Sequence, residues 1–186
     1  MTVKNLYITM TASTCVFIAL SVGLNSASIK SLPMKVKVQF STVEGISYTP
    51  QRATDGAAGY DLCAATKDAC NIVLWPNAVT LIGTGIFMAI PTGYVGKLHI
   101  RSGLSSKGVI LANGTGIIDS DYRGEVKLAL TYIGNNDRMY IANGDRIGQI
   151  LIEQALDVTW EFTDELKDTA RGAGGFGSTG VDSGIT

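Results

Sequence analysis

The feature that most constrains the fold is a series of short apolar runs, each interrupted by residues that form turns. Pro91-Thr92-Gly93 and Asn135-Asn136-Asp137 are two such interruptions. A sustained helical period is not found, apart from one short turn predicted near residues 164–167. The pattern therefore predicts an all-β sandwich or distorted barrel, with strands over residues 36–40, 72–75, 80–90, 94–101, 125–133, 138–142 and 147–153.

The length and charge of the chain limit what it can bind. Its 186 residues, 46% of them hydrophobic, fit one domain with a single core. A formal net charge of −1 argues against a broad nucleic-acid surface. Any polyanionic partner must then be held by locally placed Arg and Lys together with a metal ion, so a small molecule is expected rather than a nucleic acid.

The cysteines indicate a reducing compartment. The chain has an odd number of cysteines without a paired spacing, namely Cys15, Cys63 and Cys70. It has a single His that could join them in a metal site. Neither a disulfide framework nor a zinc site is expected.

The C-terminal segment over residues 171–180 combines groups that suit a nucleotide. Arg171 supplies a fixed positive charge, glycines leave backbone N–H groups accessible to oxyanions, and Phe176 offers a face for a base. The segment lacks the Lys of a P-loop. On composition alone, a disordered Gly/Ser terminus remains an equal alternative.

Four further motifs occur upstream of this segment, and together the five resemble those of the trimeric dUTP diphosphatase (dUTPase) family, in the family's order. The resemblance covers about residues 34–180. The upstream motifs are Ala-Gly-Tyr-Asp-Leu at 58–62, Arg-Ser-Gly-Leu-Ser-Ser-Lys-Gly at 101–108, Gly-Ile-Ile-Asp-Ser-Asp-Tyr-Arg-Gly at 116–124 and Gly-Asp-Arg-Ile-Gly-Gln at 144–149.

The resemblance implies a jelly-roll-like dUTPase fold, a distorted β-barrel that forms a homotrimer with three active sites at subunit boundaries. It implies hydrolysis of dUTP to dUMP and pyrophosphate, which limits uracil incorporation into DNA and supplies dUMP for thymidylate synthesis. The expected organisation is an N-terminal extension over 1–33, a β core over 34–165 and a flexible Gly-rich arm over 166–186. This arm closes the site of its own or of a neighbouring subunit.

The extension over residues 1–33 leaves three interpretations open. Its apolar run over 9–24 resembles a weak signal peptide, but it is short and interrupted for a membrane span, so stable membrane association is not expected. A transit peptide would normally carry Arg, which is missing here. An over-extended start is the third interpretation, since Met34 opens a strand pattern where family members usually begin. A cytoplasmic location is expected, or host cytosol or nucleus for a viral protein, with an organellar or exported form left open.

Base and sugar recognition is assigned by the resemblance to one hairpin. Residues 109–118 and 125–133 are expected to pair, and Asn113 with main-chain groups near Gly116 reads the uracil edge. Cytosine would place a hydrogen-bond donor of the base against a donor of the protein and leave buried polar groups unpaired. Tyr122 is expected to pack its ring beneath the deoxyribose, where a ribose hydroxyl would clash.

Catalysis is assigned by the same resemblance to Asp119. In the family, the carboxylate at this position orients and deprotonates the water that attacks the α-phosphate. Without the motif, an Asp in a turn is more often a hydrogen-bond cap. Asp121, two residues later, is taken as structural.

The triphosphate is expected to bind with Mg²⁺, because positioning and charge stabilisation lower most of the barrier in such reactions. Asp61 matches the residue that holds Mg²⁺ through water. Gln149 matches a contact to phosphate or water near the α position, and Arg146 is expected to tie strands or subunits together. Direct phosphate contacts are expected from Arg101, Ser102 and Gly103.

The arm completes the expected site. Arg171 is assigned to the γ-phosphate and Phe176 to stacking on uracil. The terminal phosphates are assigned to nearby amides and hydroxyls, those of Gly177, Ser178 and Thr179.

The second motif departs from the family pattern at one place. Family members often carry Ala-Pro before the Arg of this motif, whereas this chain has His99-Ile100. His99 alternates with apolar neighbours and is expected to be a packed strand residue.

Three different functions compete with dUTP hydrolysis. A dCTP deaminase shares the fold, but its general-base Glu aligns roughly with Ala129, which cannot move a proton. A non-catalytic interaction protein is the second possibility, and a hydrolase that also binds a regulatory partner is the third. Retention of Asp119, Tyr122 and the Gly-rich arm favours an active hydrolase.

Overall fold

The computed structural model describes residues 35–66 and 70–175, and almost all regular structure in them is β. The one helix among these residues, α1 (Ser102–Ser105), is a single turn. The ten strands are β1 (Gln39–Thr42), β2 (Tyr60–Cys63), β3 (Ile72–Leu74), β4 (Val79–Ala89), β5 (Tyr94–Ile100), β6 (Val109–Leu111), β7 (Gly116–Ile118), β8 (Glu125–Tyr132), β9 (Met139–Ile141) and β10 (Arg146–Gln154).

The strands form two four-stranded antiparallel sheets and one small ribbon. The first sheet has the order β1-β4-β8-β6, the second has the order β2-β10-β5-β7, and β3 pairs with β9. Neighbours in each sheet are distant along the chain, as in jelly-roll architectures. From Val38 onward the described residues belong to one compact unit. The predicted all-β, jelly-roll-like fold is confirmed.

The core follows from the two-residue period of the strands. In β8, Val126, Leu128, Leu130 and Tyr132 are buried and alternate with more exposed residues. In β10, Ile147 and Ile150 are buried in the same core as Leu62 and Leu98 of the neighbouring strands. Apolar faces of both four-stranded sheets therefore contribute to one core, and the opposite faces carry the polar residues.

Seven predicted strands are present, with their ends shifted by at most three residues. β2 was not predicted, because only one of its four residues is fully buried and no alternation appears. β6 and β7 both lie within residues 109–118, which were expected as one arm of a hairpin. The turn predicted near residues 164–167 is not helical, since the chain there has no regular structure.

The predicted hairpin between residues 109–118 and 125–133 is wrong in part. β6 pairs with β8, with Leu111 opposite Leu130, but β7 pairs with β5 in the second sheet. The reason is the turn after Ala112, in which Gly114 adopts a φ of +68° that favours glycine. This turn ends β6 and leads the chain from one sheet to the other.

The predicted domain limits stay predictions. The N-terminal extension lies outside the described residues, as does the end of the arm from Phe176 onward.

Truncation of a core side chain tests this description of the core. Leu128→Ala should lower the free energy of unfolding by about 2–5 kcal/mol, because Leu128 is fully buried in the central part of the first sheet. Denaturant titration followed by circular dichroism measures the change. The matched control is the exposed neighbour Lys127→Gln, which should change stability by less than about 0.5 kcal/mol. Equal losses in the two variants would contradict the assigned faces of β8.

Candidate active site

Asp61, on β2, is held between two arginines. Nε of Arg101 lies 3.0 Å from Oδ1 of Asp61, and Nη1 of Arg146 donates to Oδ2 at 3.2 Å. The Asp61 side chain is only 13% exposed, so both ion pairs are screened less than surface pairs. Arg101 follows β5 and Arg146 begins β10, so this carboxylate connects all three strands. Arg146 therefore ties strands of one chain together, as predicted.

Gln149 lies beside Asp61 in the same sheet. The register places Gln149 of β10 opposite Asp61 of β2 on one side and opposite His99 of β5 on the other. Directly opposed residues project from the same face of a sheet, so the three side chains form one row. Gly59 makes room for this row, because a Cβ there would overlap the Gln149 carboxamide. We call Asp61, Gln149, Arg101 and Arg146 the Asp61 cluster.

Ser102 and Gly103 lie directly after Arg101, in the single turn of α1, and both are exposed. Backbone N–H groups of residues 104 and 105 donate to the carbonyl oxygen of Arg101. The second motif is thus a tight turn that carries its polar groups on the surface next to the Asp61 cluster.

Asp119 lies in a separate loop, residues 119–124, between β7 and β8. Its side chain is exposed, and its carbonyl oxygen accepts a hydrogen bond from the Tyr122 N–H. The Tyr122 hydroxyl donates to the Glu125 carbonyl oxygen at 3.1 Å, and its ring lies where a Cβ on Gly124 would be. These contacts hold the Tyr122 ring, 43% exposed, across the end of the loop. We call residues 119–124 the Asp119 loop.

Asn113 lies on the turn that joins β6 to β7, and Gly116 is the first residue of β7. Asn113 is exposed, and its carbonyl oxygen accepts from the Thr115 N–H. Gly116 is buried against Leu98, where a Cβ would clash. β6 and β7 are both outermost strands of their sheets, so each presents one edge that no described strand pairs with. Their backbone groups are available to a flat ligand.

The Asp61 cluster and the Asp119 loop lie at opposite ends of β5. Ile118 pairs with Gly96, near the start of β5, and the antiparallel direction of β7 carries Asp119 away from Arg101. Five residues of strand separate Gly96 from Arg101, roughly 16 Å at about 3.3 Å per residue. One chain therefore does not bring the predicted catalytic carboxylate to the predicted phosphate contacts.

Arg171 lies in an exposed turn of its own. Its Nε donates to the Gly174 carbonyl oxygen at 2.8 Å, and Gly172 has a φ of +51°. The remaining arm residues predicted for the site lie outside the described residues: Phe176, Gly177, Ser178 and Thr179.

The residues that could hold a metal ion are few. Within residues 35–66 and 70–175, no group of three or more His, Cys, Asp or Glu side chains is placed to hold a metal ion. Asp61 nevertheless fits a Mg²⁺ held through water, because it is a hard oxygen donor and a carboxylate has lone pairs beyond the two that its ion pairs occupy. In the same residues, no helix is long and apolar enough to cross a membrane.

Comparison with known proteins decides the family. A family model described as dUTPase matches residues 47–180, most of the chain. The chain belongs to the dUTPase family. It is 43% identical over 150 residues to the deoxyuridine 5'-triphosphate nucleotidohydrolase of Orientia tsutsugamushi strain Boryong, covering 80% of this chain and 99% of the relative. It is also 43% identical to the enzyme of that name from Desulfotalea psychrophila, over 80% of this chain and all of the relative.

Solved dUTPase structures share the fold. The dUTPase of Staphylococcus bacteriophage 80alpha, which binds dUpNHpp, superposes with a TM-score of 0.66 at 28% identity, covering 78% of this chain and 99% of that one. A mutant dUTPase from phage phi11 of S. aureus, which coordinates a structural Mg(II) ion, has a TM-score of 0.61 at 24% identity, over 69% of this chain and 97% of that one. The similarity to the phi11 structure, at 24% identity, shows a shared fold only.

Sequence reasoning missed a cavity beside Asp61 in this dUTPase-family chain. The cavity is about 370 Å³ and is bounded by Asp61, Cys63 and Arg146 together with polar residues of the segment before β2. Burial raises the pKa of the Cys63 thiol, and the Asp61 carboxylate raises it further, while the two arginines of the cluster lower it. The missed lining residues include Tyr48, Thr49, Gln51 and Arg52. The available signal was their hydrogen-bonding side chains just before the first motif.

Proposed function

We propose that this chain hydrolyses dUTP to dUMP and pyrophosphate by Asp119-assisted attack of water on the α-phosphate. The observation that carries the proposal is the family match over residues 47–180, a span that contains all five motifs. Relatives more than 40% identical over most of the chain bear the name of this activity. The polar groups of the motifs also lie on loops and outer faces, where a ligand can reach them.

The phosphate chain binds at the Asp61 cluster. Arg101 is positioned by its ion pair with Asp61, so its other guanidinium nitrogens remain available for two parallel bonds to phosphate oxygens. Ser102 and Gly103 add donors from the adjacent turn. Gln149, from the same face, binds phosphate or water near the α position.

Mg²⁺ is the proposed cofactor, and Asp61 is the residue that would hold it through bound water. When bound, the ion neutralises charge on the triphosphate and on the leaving pyrophosphate. Arg146 aligns the Asp61 carboxylate by its bond to Oδ2.

Uracil is read by the turn between β6 and β7. The free edges of both strands offer backbone N–H and C=O groups, and Asn113 adds its carboxamide. Uracil presents acceptor, donor and acceptor groups in order, and this arrangement can satisfy all three. Cytosine would leave a donor unpaired at about 1–3 kcal/mol per buried group. Close approach of the main chain of this turn to the base leaves no space for the methyl group of thymine.

Asp119 acts as the general base. It accepts a proton from the attacking water, whose oxygen forms a new bond to the α-phosphorus. The bond from that phosphorus to the α,β-bridging oxygen breaks, and pyrophosphate leaves with the electron pair. Tyr122, held across the Asp119 loop by its bond to Glu125, packs beneath the deoxyribose and discriminates against ribose.

The assembly that completes this site is a homotrimer, with each site shared between subunits. The separation between the Asp61 cluster and the Asp119 loop along β5 supports this proposal, because a second copy must supply the half that one chain lacks. The number three comes from the resemblance to the family.

The segment after β10 also supports contact between copies. Every second residue from 156 to 162 is a large apolar residue, as in a strand. The exposed fractions are 84% for Leu156, 55% for Val158, 91% for Trp160 and 89% for Phe162. Within the described residues this segment has no strand partner. A neighbouring subunit is the proposed partner for these apolar side chains.

The arm closes the site after the nucleotide has bound. Arg171 meets the γ-phosphate, Phe176 stacks on uracil, and Gly177, Ser178 and Thr179 bind the terminal phosphates. Closure excludes water other than the nucleophile. The cytoplasmic location stays a prediction.

Substrate choice tests the activity. With Mg²⁺ present, only dUTP should yield pyrophosphate, whereas dCTP, UTP and dTTP should yield little, because the turn between β6 and β7 and the Tyr122 ring exclude them. Pyrophosphate and ammonia are measured separately for each nucleotide. Release of ammonia from dCTP would instead indicate a deaminase.

The role of Asp119 has its own test. Asp119→Asn should retain nucleotide binding while kcat falls by about 10²–10⁴, because the amide cannot accept the proton. Calorimetric titration with dUpNHpp measures binding, and pyrophosphate release measures kcat. The matched control is Asp121→Asn, which should remain active. Unchanged turnover in Asp119→Asn would remove this residue from the mechanism.

Mixed assemblies test the sharing of sites. Asp119→Asn and Arg101→Gln chains should each be nearly inactive as pure assemblies. When the two are unfolded together and refolded at equal amounts, roughly a quarter of the sites should combine two unaltered halves and regain activity. Simple mixing of the separate folded assemblies serves as the control. Failure of the co-refolded sample to exceed either parent would show that one chain forms the whole site.

A further inference from the structure

His99 is in the row of side chains that contains Asp61 and Gln149. The strand register places it directly opposite Gln149, and Gln149 is in turn directly opposite Asp61. Its neighbour along the chain, Leu98, is 2% exposed and belongs to the core, so His99 projects from the other face of the sheet. His99 is a partly buried residue of β5, as expected of a packed strand residue, on the face opposite Leu98.

The Gln149 side chain is confined on one side and borders His99 on the other. It lies over Gly59, where only hydrogen leaves room for its carboxamide. Cβ atoms of directly opposed residues in antiparallel strands are about 4.5–5.5 Å apart, so the imidazole and the carboxamide cover adjacent surface. Arg101, two residues after His99, reaches Asp61 from the same side of the sheet. The register thus places His99 next to Gln149 and two residues from Arg101, both proposed phosphate-binding groups.

The chemistry of the two side chains is complementary. A neutral imidazole carries one N–H donor and one nitrogen acceptor, while a carboxamide carries an acceptor oxygen and an NH₂ donor. Either end of the Gln149 carboxamide can therefore bond to His99, which leaves the opposite end for the ligand. The Ala that family members often carry at this position could not make such a bond.

We propose that His99 is a positioning residue that acts through Gln149. In the nucleotide-bound state, the imidazole holds one end of the Gln149 carboxamide, and the other end is directed at the α-phosphate or the attacking water. This inference rests on the proposed dUTP hydrolysis. It assigns to this chain a hydrogen-bonded pair that the five family motifs do not contain.

A double-mutant cycle tests the proposal. His99→Phe keeps a ring of similar size but removes both hydrogen-bonding nitrogens, and it should lower kcat roughly three- to tenfold with little change in KM. In a Gln149→Ala background the same substitution should change kcat by less than about twofold, because the group it positions is gone. His99→Gln, which restores a donor and an acceptor, should recover most of the lost activity.

The control cycle uses Lys97, two residues away on the same face of β5 and paired with Glu153 at 2.7 Å. Lys97→Met combined with Gln149→Ala should give additive effects. Additive effects for His99→Phe and Gln149→Ala would overturn the proposal, as would equal activity of the Phe and Gln variants. An inactive unaltered chain would instead reject the proposed function, so the two failures are distinguishable.

A measurement on the unaltered protein covers the case in which a variant fails to assemble. His99 is the single histidine of the chain, so its imidazole resonances are assigned without ambiguity. Addition of dUpNHpp with Mg²⁺ should shift them and slow exchange of one ring N–H with solvent. Unchanged imidazole resonances at saturating dUpNHpp would overturn the proposal whatever the variants do.

Discussion

The ion pairs of the Asp61 carboxylate are the interaction on which the rest of the site depends. A largely buried carboxylate needs compensating charge, and two arginines from different strands provide it. The same contacts fix the direction of Arg101 before any ligand arrives. Residues from three strands that are far apart in sequence thereby meet at the Asp61 carboxylate. The sheet, rather than a loop, holds these side chains in place.

The order of strands determines what this cluster can reach. β10 lies between β2 and β5, which aligns Asp61, Gln149 and His99, whereas β7 joins the sheet with Asp119 at the far end of β5. The proposed phosphate-binding groups are preorganised within one subunit, and the proposed general base is displaced from them. In the proposed mechanism, hydrolysis therefore requires a second copy of the chain.

The sequence predicted the all-β class and most long strands, because alternation over seven or more residues records which face is buried. It did not predict β2, in which only one of four residues is fully buried, and it joined β6 and β7 into one hairpin arm over residues 109–118, although Gly114 turns the chain into the other sheet. The motifs identified candidate residues through resemblance to a family. Resemblance did not reveal the Arg146 contact with Oδ2 or the alignment of His99, since both arise from cross-strand register.

The exposed segment after β10 has a consequence for the life of the chain before assembly. Trp160 and Phe162 are almost fully accessible on a single subunit, and their alternation with polar residues suits pairing with any free strand edge. In the proposed assembly neighbouring subunits cover this segment, so a newly synthesised chain exposes its apolar side chains until assembly takes place. Slow assembly would prolong that state, in which the exposed apolar side chains favour aggregation.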